Sequence, residues 1–146
     1  MKILFLSFYF SPDLSAGSFR STSLVDTLLK QTPQNTQIDI VTTLPNRYKN
    51  FKVKASELEI MPKVTIKRIK ITNHNSGMID QAKAFTVFAK NALKYIRGKN
   101  YDLIYATSGR LMTAFLGATI SKKLKKPLYL DIRDIFSDTI QYILPK

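Results

Sequence analysis

Three stretches of this chain bring arginines, hydroxyls and carboxylates to places where the apolar pattern breaks: residues 13–20, 107–110 and 131–138. The first holds Gly17, Ser18 and Arg20, and the second holds Ser108, Gly109 and Arg110. Free backbone N–H groups at a helix start attract anions, and a glycine lets a ligand come close to the backbone. A guanidinium adds a planar fork that matches phosphate. This chemistry could bind a phosphorylated or sugar-like ligand, with Arg20 or Arg110 facing the phosphate. The alternative for either arginine is a surface ion pair worth little. In Asp131-Ile132-Arg133-Asp134, strand alternation sends Asp131 and Arg133 to one side and leaves Asp134 nearer the following loop. A carboxylate here could bind hydroxyls or act as a base, while an internal Asp–Arg pair holding the strand end is equally open.

For these residues to meet, the elements around them must set one edge. Residues 3–8 form a short unbroken apolar run, as expected of a strand covered on both faces in the middle of a parallel sheet. A helix is predicted to begin near Gly17, with Phe19, Leu24, Val25, Leu28 and Leu29 at helical spacing. Residues 38–43 read as a second strand, and residues 46–62, which include Arg47, Lys49, Lys52 and Lys54, as a basic, mobile loop. Residues 64–71 mix branched apolar residues with cations, like a strand near a sheet edge. From 77 to 97 the period is helical, with Met78, Ala82, Phe85, Ala89, Ala92 and Ile96 on one face and Lys83, Lys90, Lys94 and Arg97 on another, and Gly98 ends the helix. Residues 101–106 read as a fourth strand. Residues 107–109 open a helix carrying Leu111, Met112, Phe115, Leu116, Ala118 and Thr119, and Lys122, Lys123, Lys125 and Lys126 close it. Residues 127–132 complete a fifth strand.

Strand and helix patterns alternate throughout, so the predicted fold is α/β, a three-layer Rossmann-like sandwich around a mainly parallel sheet in the order 3-2-1-4-5. The loops after strands one, four and five then open at one edge.

Composition narrows the partners. A net charge of +13 in 146 residues, with pI near 10.0, points to nucleic acid, an acidic bilayer surface or phosphorylated substrates. The cationic helix face is read as solvated or as lying on an anionic membrane. With no cysteine, thiol chemistry and a disulfide framework are excluded, which fits the cytosol. His74 is the only histidine and has no second ligand nearby, so no metal is expected. No G-x-G-x-x-G, G-x-x-x-x-G-K-[ST] or G-x-S-x-G occurs. Pro12 and Asp13 follow the first apolar stretch directly, so it is not read as a signal peptide. No apolar run approaches the roughly 18 residues of a transmembrane helix.

Two sets of residues carry a resemblance. Met1-Lys2-Ile3-Leu4-Phe5-Leu6, Phe10-Ser11-Pro12-Asp13 and Ala16-Gly17-Ser18-Phe19-Arg20 resemble the opening of family 4 glycosyltransferases of the GT-B fold. The stretches starting at Tyr101 and Pro127 are similar to later segments of the family, above all in bacterial enzymes that transfer N-acetylated fucosamine-type sugars in surface polysaccharide assembly. The resemblance implies that residues 1–146 are a single N-terminal, acceptor-side domain. A C-terminal domain that binds the nucleotide-sugar donor would be absent from this chain, leaving it inactive alone. It further implies retention of anomeric configuration, no metal or other cofactor, a lipid-linked saccharide acceptor and a cytoplasmic place on the inner face of the plasma membrane. On this basis Arg133 and Asp134 are candidate catalytic residues, although many members carry histidine where Arg133 stands. Gly17, Ser18, Arg20, Ser108, Arg110 and Asp131 are candidates for substrate binding, and Lys83, Lys90, Lys94, Arg97, Lys122 and Lys123 for facing the membrane. The rival expectation is a non-catalytic basic module on nucleic acid, for which no recognition helix or stacking signature is present, or a peripheral membrane scaffold.

Overall fold

The computed structural model describes residues 1–47, 53–71 and 78–133. Strand β1 (Lys2–Leu6) occupies the interior of a six-stranded sheet with β2 (Gln37–Thr43), β3 (Leu58–Ile60), β4 (Val64–Ile69), β5 (Leu103–Thr107) and β6 (Leu128–Asp131) in the order β3-β4-β2-β1-β5-β6. Every neighbouring pair is parallel except β3 with β4. The expected order of five parallel strands is therefore present. The expectation of an uninterrupted loop over 46–62 is corrected, because residues 58–60 add an antiparallel edge strand; residues 48–52 of that stretch lie outside the described residues.

Helix α1 (Ala16–Gln31) covers one face of the sheet, while α2 (Met78–Ile96) and α3 (Leu111–Leu124) cover the other, giving a Rossmann-like three-layer α/β fold. The unbroken apolar run of β1 follows from this: Ile3 and Phe5 pack on the α1 side, and Leu4 and Leu6 pack under α2 and α3.

The helical stripes differ in detail from the expected ones. On α1 the buried positions are Ser18, Ser21 and Val25, spaced by three and four, and Phe19 falls off that stripe and is exposed. On α2, Ala84, Phe85, Phe88, Ala92 and Ile96 are buried, while Ala82 is exposed. On α3 the sheet contact uses Ala114, Leu116, Gly117 and Ile120, leaving Leu111, Met112 and Phe115 outward. Small residues let these helices sit close: a Cβ added to Gly117 would lie 2.5 Å from the Ala106 Cβ.

Both downstream helices stop where expected, α2 before Gly98 and α3 within the lysine cluster. Gly98 takes φ +77 after α2. After α3, Lys125 takes φ 52, and the N–H groups of Lys125 and Lys126 return to the carbonyls of Lys122 and Ser121. Among the described residues, no helix is long and apolar enough to cross a membrane.

Candidate functional site

Because β1, β2, β5 and β6 are parallel, the turns that follow them share one edge, and there they enclose a cavity of about 360 Å³. Ser15, Ala16 and Gly17 supply one wall from the start of α1, Ser7, Phe8 and Tyr9 another, and Thr107, Gly109 and Arg110 a third, with Arg47 and Arg133 completing the lining. Ser15 caps α1, its hydroxyl accepting the Ser18 N–H at 3.1 Å, and no acidic residue occupies the first turn. The positive end of the helix thus faces the cavity without a side-chain counter-charge of its own.

Each arginine is held by a specific contact. Arg133 passes between two glycines: a Cβ at Gly17 would meet its Nη1 at 2.8 Å, and one at Gly109 would meet the same atom at 3.0 Å. The Ser108 hydroxyl accepts the Arg133 backbone N–H at 2.7 Å, and the Ser108 N–H donates to the Asp131 carbonyl at 2.9 Å. Arg110 donates through Nη2 to the Tyr9 hydroxyl at 2.6 Å, and its guanidinium carbon lies 4.1 Å from the Phe8 ring centroid. Arg47 arrives because buried Asp13 accepts the backbone N–H groups of Asn46 at 2.9 Å and Arg47 at 3.3 Å, tying the turn after β2 to the turn after β1.

Of the residues singled out from sequence, Gly17, Arg110 and Arg133 therefore line one cavity. Four others do not. Arg20 and Asp131 form a two-point ion pair outside it, Nη2 to Oδ1 at 2.8 Å and Nε to Oδ2 at 3.3 Å, so the internal Asp–Arg pair is realised with an arginine 111 residues away. The bond to Asp131 and its charge raise the Arg20 pKa above its ordinary value. Ser18 is buried on the stripe of α1 that faces the sheet, with its N–H used by the Ser15 cap, and Ser108 is buried and positions Arg133. Asp134 and His74 lie outside the described residues. Lys83, Lys90 and Lys94 on α2, Arg97 directly after it, and Lys122 and Lys123 on α3 are all exposed and none lines the cavity.

Arg47, Phe8 and Tyr9 also line the site without having been singled out as site residues. Arg47 lies within a stretch with no periodic signal, and nothing local marks it. Phe8 belongs to an apolar run that reads as strand, and Tyr9 only follows it. Gly109, in the second of the three candidate stretches, does line the cavity, as a glycine immediately before a helix at a strand's carboxyl end can.

Among the described residues, no three His, Cys, Asp or Glu side chains group as metal ligands. The cavity's donors are guanidinium, hydroxyl and backbone N–H groups, a set for an anion and not for a cation. No protein-family model matches this chain, and no curated protein sequence matches it.

Proposed function

We propose that this chain is the acceptor-side half of a retaining, GT-B-fold glycosyltransferase of family 4, moving a sugar from a nucleotide-sugar to a lipid-linked saccharide in cell-surface polysaccharide assembly. One observation supports this reading above the others. Three arginines and a helix N-terminus share a cavity whose described lining contains no carboxylate. A guanidinium fork and the free N–H groups of a helix start each attract an anion that enters the cavity. A departing nucleoside diphosphate is such an anion.

In the transfer, the bond from the anomeric carbon to the diphosphate oxygen breaks, its electron pair leaves on the diphosphate, the acceptor hydroxyl oxygen forms the new bond to carbon, and the hydroxyl proton passes to the departing diphosphate. The work asked of the protein is positioning and stabilisation of the leaving charge. Arg110, stacked on Phe8 and tethered to Tyr9, and Arg133, seated between glycines, present that charge without needing to reorganise. A second α/β domain supplies the rest of the donor site, so turnover needs both halves. The exposed cations of α2 and α3 suit an anionic membrane carrying the acceptor.

Titration with uridine diphosphate and with oligonucleotides at two salt concentrations tests this. The expected result is saturable diphosphate binding, at least about tenfold weaker in Arg110→Gln, as for loss of a charged hydrogen bond, and within about twofold of the unmodified chain in Arg20→Gln, whose guanidinium serves Asp131. Absence of diphosphate binding, with tight and steeply salt-dependent oligonucleotide binding, would replace the assignment with a nucleic-acid module.

A further inference from the structure

A second cavity, of about 410 Å³, lies on the α1 face of the sheet beside β4, within the size range of about 300–1,000 Å³ usual for small-molecule sites. Its origin is geometric. One helix, about 10–12 Å across, covers this face, and six strands about 4.8 Å apart extend beyond it. The uncovered strip between α1 and the β3–β4 hairpin is walled by Phe10, Val25, Ile40 and Ile66, with Met61 at the mouth, 45% exposed.

One member of this apolar wall is out of character. Arg68 follows Val64 and Ile66 on the same face of β4 and is 3% exposed. Its Nη1 donates to the Ser56 carbonyl at 3.1 Å and to Glu59 Oε1 at 2.6 Å, and its Nη2 donates to the Ser11 carbonyl at 2.7 Å. Its Nε–H has no partner among the described residues. A buried donor left unpaired is destabilising, and Arg68 lines the groove, so an acceptor delivered there to its Nε–H would be bound with gain.

We infer that this groove binds a fatty-acyl chain, its ester carbonyl accepting from Arg68 Nε–H and its hydrocarbon running along β4 toward Val64. Charge selects the class: the lining holds Asp26 and Glu59 against Lys63 and Arg68, a neutral balance within a chain of +13. Arg68 already has its counter-charge in Glu59, so an uncharged acceptor fits where a carboxylate or phosphate does not. Shape selects a linear ligand, since Val64, Ile66 and Arg68, alternate residues along β4 at about 3.3 Å per residue, line the groove in a row. The groove shares no lining residue with the arginine-lined cavity.

The test is titration with 1-monooctanoylglycerol below its micellar concentration, followed by methyl and amide NMR shifts. Expected are saturable binding, shifts centred on Val25, Ile40 and Ile66, and affinity at least about fivefold weaker in Met61→Glu and in Arg68→Lys, which keeps a cation for Glu59 but lacks Nε–H. Octanoate at neutral pH should bind at least about fivefold more weakly than the ester. No saturable binding, shifts elsewhere on the protein, or full affinity in Met61→Glu would overturn the inference. Met61 is surface-exposed, so that variant decides the matter should Arg68→Lys not fold.

Discussion

Arg133 and Gly17 approach so closely that a single methyl group at position 17 would stand 2.8 Å from the arginine Nη1. Two opposing consequences follow. Within the first turn of α1, alanine is a better helix former than glycine by about 1 kcal/mol, so Gly17→Ala should leave the fold as stable as before or slightly more so. The same methyl must push the guanidinium away from the helix N-terminus, and diphosphate affinity should fall about tenfold, in line with loss of one charge-assisted bond. Thermal unfolding and diphosphate titration on the same variant check both signs. A variant that binds normally would remove Arg133 from the anion site.

That Gly17, Gly109 and Arg133 share one sheet edge is legible along the chain, but the seating of the Arg133 guanidinium between the two glycines is not, and the reason is general. Residues 3–8 announce a central strand because burial on two faces leaves a local apolar signature, and the alternation of strands with helices then restricts the order of the sheet. Hydroxyl residues carry no such signature. Ser18 and Ser108 look like ligand donors in sequence, yet one packs against the sheet and the other holds a backbone N–H. Arg20 and Arg110 look equivalent too, and they part only because Asp131 faces one and the Phe8 ring the other. The strand at 58–60 is too short to show a period, and the apolar residues of the helix after 109 do not separate in sequence into buried Leu116 and outward Leu111, Met112 and Phe115.

Alkaline pH should unfold this protein earlier than its charge alone would. The Tyr101 hydroxyl donates to Asp39 Oδ2 at 2.8 Å, and burial first, then that bond, pushes its pKa up from the ordinary value of 10.0. Burial, then the charge of Asp131, pushes Tyr105 up likewise. Folded-state values above the unfolded value mean that both phenols stay protonated in the fold while the unfolded chain loses its protons. Stability is therefore whole below pH 10.0 and declines as pH rises toward the folded values. Each tyrosine contributes a slope of up to about 1.4 kcal/mol per pH unit. Urea unfolding at pH 8, 10 and 11.5 should show the decline, and Tyr105→Phe should make it shallower. An unchanged slope in that variant would mean that the phenol titrates freely.

Gly117 presents the reverse of the Gly17 case. Its missing Cβ would overlap the Ala106 side chain at 2.5 Å, with Leu128 Cδ1 at 3.5 Å, so α3 sits directly on β5. Neither partner is the tip of a long flexible side chain, and the helix must lift as a body. Gly117→Ala should destabilise the fold by about 1–3 kcal/mol, the usual cost of overpacking, despite the gain in helix propensity. Chemical denaturation reads this directly, and a neutral or stabilising result would mean that the layer spacing between α3 and the sheet is soft.

The end of that same helix carries a correctable strain. Lys125 adopts φ 52, a left-handed conformation that costs a residue with a Cβ about 1–2 kcal/mol, while its N–H and that of Lys126 close the helix onto Lys122 and Ser121. Glycine takes this geometry without the penalty but loses more chain entropy on folding. The net expectation for Lys125→Gly is a gain of about 0.5–1 kcal/mol, with diphosphate binding unaltered because the position lies outside the cavity lining. A melting temperature that rises while binding holds steady would show that this lysine is kept for its charge and not for the turn. A fall in stability would mean that the terminal carbonyls of α3 depend on the ammonium group more than on the backbone cap.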